Sequence, residues 1–186
     1  AYLGEDVVIS DDPDLMDQAD RLVLPGVGAF GDAMQAINQK GLIAPLSRQV
    51  IELRKPLLGI CLGMQLVAHE SFEHGMHKGL GWLDARVERL APAGPLKVPH
   101  VGWNSLDFPE DDWLFKGIRR QEANFYFVHS FHMVCANAED LLATTDYGGE
   151  VTAVVRRGNV LAMQFHPEKS QDNGLRLLQN WVDWSA

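Results

Sequence analysis

The chain has 186 residues, enough for one domain with a sizeable core. A hydrophobic fraction of 46% excludes disorder over most of the length, because that much apolar surface offsets the entropy lost on ordering. Its 16 Lys and Arg against 25 Asp and Glu leave a net charge of −9, which argues against a nucleic-acid partner. No apolar run reaches the roughly 18 residues of a spanning helix, so neither membrane insertion nor a secretory leader is expected. Cys61 and Cys135 are the two cysteines, too few for a disulfide framework, and predict a reducing cytoplasm.

In chain order, the triplet 7–9 reads as a short strand, and Asp11-Asp12-Pro13 opens a short helix. The apolar run 22–24 predicts a strand that ends in the loop Pro25-Gly26-Val27-Gly28. Helices are expected over 31–40 and 45–54, the second with proline in its first turn. Residues 56–60 read as a strand and 62–71 as a helix with Leu62, Leu66 and Val67 on one face. Apolar strands alternating with helices predict a parallel sheet covered on both faces.

The second half is richer in β pattern. Residues 85–88 alternate strictly, 91–95 form a turn cluster, and 125–131 read as one aromatic strand. Strands over 141–145, 151–155 and 160–165 are separated by Gly148-Gly149 and Gly158-Asn159. A last helix over 172–184 places Leu175, Leu178, Trp181 and Val182 on one face. The prediction is a single α/β domain over 1–186, flavodoxin-like and doubly wound, mostly parallel with an antiparallel extension.

Gly59-Ile60-Cys61-Leu62-Gly63 follows a predicted strand and precedes a predicted helix. This is the nucleophile elbow G-x-S-x-G with cysteine in place of serine. The turn is tight enough to require small residues on both sides. It leaves Cys61 at a strand's carboxyl end and a helix's amino end, where thiolates and oxyanions are favoured. The alternative is a buried structural cysteine. His166-Pro167-Glu168 follows a strand and offers a base and its orienter; alone it also reads as a surface turn. Gly26 and Gly28 permit backbone N–H groups to turn toward an anion, or simply make a βα turn. His69, His74 and His77 lack the spacing of a metal site, so no metal is expected. Cys135 reads as a small buried residue.

Together these segments resemble class I glutamine amidotransferases. The resemblance extends to the glutaminase-subunit family of imidazole glycerol phosphate synthases. It rests on Gly59-Ile-Cys-Leu-Gly-Met-Gln65, Lys97-Val-Pro-His-Val-Gly-Trp-Asn104, Phe125-Tyr-Phe-Val-His-Ser130 and Gln164-Phe-His-Pro-Glu-Lys-Ser170. It implies a Cys61–His166–Glu168 triad with no cofactor. It also implies an oxyanion hole from Leu62, Val27 and Gly28, and glutamine contacts at Gly26, Gln65, Ser130 and Phe131. A TIM-barrel cyclase partner would meet Ala29, Phe30, Trp103 and Asn104. Ammonia released from glutamine would pass to that partner, which makes imidazole glycerol phosphate and aminoimidazole carboxamide ribotide. A flip of the Gly26–Gly28 loop is the implied switch between silent and stimulated states.

The family pattern starts with a strand, a loop and a helix that this sequence lacks, about 25–30 residues by the length of such a unit. Ala1 to Glu5 would be the end of that helix, and the strand would be central in the sheet. Two other readings compete. One is an inactive, truncated scaffold subunit. The other is a cysteine hydrolase of the DJ-1/PfpI type, against which stands Leu62, where that group has histidine after its cysteine.

Overall fold

The computed structural model describes residues 3–184. Asp12 caps α1 (Pro13–Gln18), its carboxylate accepting from the Asp14 N–H at 3.0 Å. Next come β1 (Leu22–Gly26), α2 (Phe30–Gln39) and α3 (Ile43–Ser47), which widens into a π-type turn over Arg48–Glu52. β2 (Leu57–Cys61) runs straight into α4 (Leu62–Leu66). The middle of the chain forms β3 (Glu70–Ser71), β4 (His77–Lys78), β5 (Ala85–Arg89), β6 (His100–Ser105) and β7 (Asn124–His129). β8 (Phe131–Cys135), β9 (Leu141–Asp146), β10 (Glu150–Arg157), β11 (Val160–Met163) and α5 (Gln171–Asp183) complete it.

The main sheet has the order β1-β2-β11-β10-β9. β1, β2 and β11 are parallel, and β10 and β9 extend them antiparallel. This is the expected doubly wound sheet with its antiparallel extension. Every residue of β2 is buried, as a strand covered on both faces requires. Leu57 packs with α2, α3 and α4 on one side. Leu58 and Ile60 pack on the other with Phe125, Phe127, Leu177 and Trp181 of β7 and α5. Two smaller ladders flank the sheet, one of order β4-β3-β5-β8 and one of β6 with β7.

Several expectations are corrected. Residues 7–9 form no strand; they are exposed, and no ladder among the described residues offers them a partner. Ala1 and Tyr2 lie outside the described residues, and Leu3 to Glu5 are not helical. The helix expected over 45–54 begins two residues earlier and ends before Arg54, whose φ is 56°. The helix expected over 62–71 is only five residues long. Its later carbonyls are taken by a returning loop: Leu80 N–H bonds Leu66 O at 2.8 Å and Trp82 N–H bonds Val67 O at 3.0 Å. The single strand expected over 125–131 breaks at Ser130, so β7 and β8 belong to different ladders. On α5 the buried residues are Gly174, Leu177 and Trp181, a face rotated from the expected one.

Candidate active site

β2 and β11 are hydrogen-bonded neighbours, and both end at the same edge of the sheet. Their register pairs Ile60 with Met163, so Gln164 follows beside Cys61. Cys61 turns the corner from β2 to α4 with φ 55° and ψ −109°, a conformation that non-glycine residues rarely hold. Such strain costs on the order of 1–3 kcal/mol and persists only where the surroundings enforce it. The flanking glycines are the means. A Cβ on Gly63 would sit 1.7 Å from the Leu24 carbonyl oxygen, and one on Gly59 would sit 2.9 Å from the Gly63 oxygen.

The chain after β11 brings His166 to the same place. Its backbone N–H bonds the Tyr126 carbonyl at 2.9 Å. The Ser170 hydroxyl donates to the His166 carbonyl at 2.6 Å and accepts from the Tyr126 N–H at 3.0 Å. Glu168 Oε1 lies 2.6 Å from His166 Nδ1, which fixes the ring. The opposite nitrogen, Nε2, is buried and has no hydrogen-bond partner among the described residues. Cys61, then Glu168, raise the His166 pKa to about 9. Burial is the largest single influence on the Glu168 carboxyl and works to raise it, but the hydrogen bond from His166, a backbone hydrogen bond and the charges of His166 and Lys169 together hold it below its usual value. The sequence-predicted Cys61, His166 and Glu168 are thus brought together.

Leu62 is the first residue of α4, where N–H groups have no intrahelical acceptor. Gly26 pairs with Cys61 in the β1–β2 ladder. Val27 is 81% exposed, and Gly28 has φ +98° with open space around it. Val27 and Gly28 are therefore exposed beside the nucleophile, while Gly26 is packed closely against Leu62.

Gln65 is buried, and its Nε2 donates to the Phe131 carbonyl at 2.9 Å and to Gln164 Oε1 at 3.0 Å. Gln164 Nε2 in turn lies 3.8 Å from Cys61 Sγ. The Ser130 carbonyl accepts from the Leu90 N–H at 2.9 Å. Gln65, Gln164 and the Phe131 carbonyl therefore stand as one hydrogen-bonded group on the nucleophile's flank, with Ser130 next to Phe131 in the chain and tied to Leu90. Gln164 is a member of that group to which the sequence reading gave no role, although it opens the Gln164–Ser170 segment that carries the family resemblance.

The four residues expected at a partner face differ in exposure. Phe30 is fully buried in the core, so its side chain presents nothing to a partner, while Ala29 is half-buried. Trp103 is exposed, but Asn104 belongs to the opposite face of β6, as strand alternation dictates. Its Nδ2 donates to the Asp146 carbonyl at 2.8 Å. The face that does look outward carries Val101, Trp103 and Val128, with Trp103 set edge-on to Tyr126 at 5.9 Å.

No group of three or more His, Cys, Asp or Glu that would hold a metal occurs among the described residues. The segment with His69, His74 and His77 does a different job. Glu73 Oε2 accepts from the Phe30 N–H at 2.7 Å, capping α2 from a distant loop directly after the Gly26–Gly28 turn. An open cavity of about 770 Å³ lies between α2 and this segment; Ala29, Glu73 and His77 line it and Cys61 does not. Cys135 is half-buried rather than buried, and burial pushes its thiol up to about 11. Both cysteines are free thiols, and no described helix is long and apolar enough to cross a membrane.

The family model for glutamine amidotransferase class-I matches residues 5–184. A protein of Nitrobacter winogradskyi named imidazole glycerol phosphate synthase subunit HisH 2 is 46% identical, the match covering 99% of this chain and 89% of that protein. A subunit HisH of the same synthase from Moorella thermoacetica is 49% identical over 96% of this chain and 83% of its own length. Among solved structures, a glutamine amidotransferase superposes with a TM-score of 0.68 at 24% identity, covering 97% of this chain and 89% of that one. A second, from Thermotoga maritima, gives 0.60 at 19% identity, over 97% of this chain and 67% of that one. An elbow cysteine facing a carboxylate-held histidine, a matching sheet and close relatives over nearly the whole length lead to one conclusion: the chain belongs to the class I glutamine amidotransferase family.

Proposed function

We propose that this chain, acting as one glutamine amidotransferase domain, is the glutaminase subunit of an imidazole glycerol phosphate synthase. The observation that carries the reading is the strained Cys61 facing His166, whose other nitrogen is held by Glu168. The Cys61 thiolate attacks the side-chain carboxamide of glutamine. Negative charge on the carboxamide oxygen is met by the Leu62 N–H and, once the Gly26–Gly28 loop turns, by the N–H of Val27 or Gly28. Donors of this kind each contribute about 3–4 kcal/mol in the transition state. The tetrahedral adduct collapses as protonated His166 gives its proton to the leaving nitrogen, releasing ammonia and a glutamyl thioester. Neutral His166 then takes a proton from water, which cleaves the thioester to glutamate and restores the thiol.

Ammonia released into water protonates and loses its nucleophilicity. Direct transfer to a cyclase subunit avoids this, and heterodimer formation in the cytoplasm follows. The outward face of Val101, Trp103 and Val128 suits such an interface, because an aromatic anchor flanked by apolar residues is what interface centres use. Trp103→Ala is expected to weaken the complex roughly tenfold or more. Titration of the cyclase subunit against glutamate release measures this, and an unchanged midpoint places the interface elsewhere.

The pH dependence follows from His166. Its folded pKa is raised to about 9, so the pairing stabilises the protein fully below the unfolded value and is lost as pH rises through about 9. The proton destined for ammonia disappears in the same window, so glutamine hydrolysis declines on an alkaline limb there. Glu168→Gln removes one cause of the raised value, and the limb moves to lower pH. A pH–rate profile of the complex checks this; a limb that stays put in the variant removes Glu168 from the triad. Glutamate release by the complex with its cyclase subunit tests the function as a whole, and a complex that forms but releases none rejects it.

A further inference from the structure

His100 and His129 are buried titratable side chains that the hydrolysis leaves unused, at 2% and 6% exposure. His129 Nδ1 lies 2.9 Å from the Phe131 carbonyl oxygen, and its Nε2 lies 3.2 Å from His100 Nδ1. A carbonyl only accepts, so His129 carries its hydrogen on Nδ1. Its Nε2 then holds a lone pair, and His100 Nδ1 is the donor to it. His100 Nε2 is left as an acceptor, facing Asn104 Nδ2 at 3.5 Å. Burial keeps both rings neutral, with pKa values lowered to about 4 and about 3, so this direction of donation holds across the working pH range. The His100 ring is itself fixed, stacked between Tyr147 at 3.9 Å and Phe127 at 4.7 Å.

The chain of bonds leads to the nucleophile. The Phe131 carbonyl that receives His129 also receives Gln65, and Gln65 holds Gln164 beside Cys61. The place where this happens is the break at Ser130, where the strand leaves one ladder for another. At this junction the Leu90 N–H holds the Ser130 carbonyl at 2.9 Å, and the side chains of His129 and Gln65 hold the Phe131 carbonyl.

We infer that His129, locked by His100, is a positioning residue for the glutamine site: it holds the Ser130–Phe131 backbone and, through the shared Phe131 carbonyl, the Gln65–Gln164 pair on the flank of Cys61. The inference rests on the glutamine-hydrolysis reading above. It assigns the two histidines to substrate placement, not to proton transfer.

The test uses the complex with the cyclase subunit and three variants. His129→Ala removes the donor to Phe131 O and raises KM for glutamine roughly tenfold, the loss of one bond to a buried group, with kcat within about threefold. His129→Asn places an amide N–H near the position of Nδ1 and returns KM to within about threefold of wild type. His100→Phe keeps the stacking but not the donor, and raises KM by a smaller factor. Alkylation of Cys61 by iodoacetamide, which needs no glutamine pocket, proceeds at the wild-type rate in all three. An unchanged KM in His129→Ala overturns the inference, as does His129→Asn losing kcat and KM as badly as alanine. Should the alanine variant not fold, KM in His129→Asn and His100→Phe decides: wild-type KM in His100→Phe overturns the role. A wild-type complex that hydrolyses no glutamine overturns the underlying reading, and the inference with it.

Discussion

Alanine at Cys61 abolishes glutamine hydrolysis, by more than about a thousandfold, because no other group in the site can form the glutamyl thioester. The size of the effect separates a nucleophile from a structural thiol. Cys61 is 7% exposed and packs among Ile60, Met163 and their neighbours, so a purely structural cysteine replaced by alanine would cost stability rather than turnover. The strained φ of 55° is shared by both residues and cancels in the comparison. Cys61→Ala should therefore fold, keep its affinity for the cyclase subunit, and release neither glutamate nor ammonia. Residual hydrolysis above a few per cent of wild type would mean that another residue performs the attack.

Gly63→Ala produces the largest expected loss of stability. The added methyl would lie 1.7 Å from the Leu24 oxygen and 2.7 Å from the Leu24 carbonyl carbon, both backbone atoms of β1. No rotamer relieves such a contact, so either β1 or α4 must move. We expect a cost of about 3 kcal/mol or more, since overpacking against backbone belongs to the severe class of substitution. For a chain of this size that lowers the melting temperature by roughly 6–12 °C. The surviving folded protein should also be slow, because β1 carries the Gly26–Gly28 loop beside Cys61. Thermal melts and glutaminase rates of the variant check both halves, and a wild-type melting temperature would show that the elbow is looser than its geometry.

The elbow was legible in sequence for the same steric reason. Only glycine fits at positions 59 and 63 when a strand turns this sharply into a helix, so the spacing carries the geometry. The candidate base was legible as a His-Pro-Glu segment directly after a predicted strand; that β11 neighbours β2, and so brings His166 to the end where Cys61 lies, only the fold reveals. What sequence periodicity does not carry is the change of ladder at Ser130. The aromatic run alternates smoothly through it, and nothing local marks that Phe131 answers to β5 instead of β6. The shortened α4 has a related cause. Its pattern of Leu62, Leu66 and Val67 is helical, but the N–H groups of residues 80–83 arrive from outside and take the carbonyls that would have continued it. Residues 7–9 show the converse: an apolar triplet suits a strand, yet a strand exists only where another backbone pairs with it. The His69–His77 segment hid its role for want of any local sign that Glu73 caps α2, a contact across 43 residues.

The central claim is that Cys61 is a nucleophile built for glutamine. Its most direct test is intact-mass analysis after treatment with acivicin, an electrophilic glutamine analogue, in the presence and absence of the cyclase subunit. One adduct, located at Cys61, blocked by excess glutamine and formed faster with the cyclase subunit, is the expected result. No adduct with the cyclase present, or labelling that spares Cys61 and falls on Cys135, would contradict it.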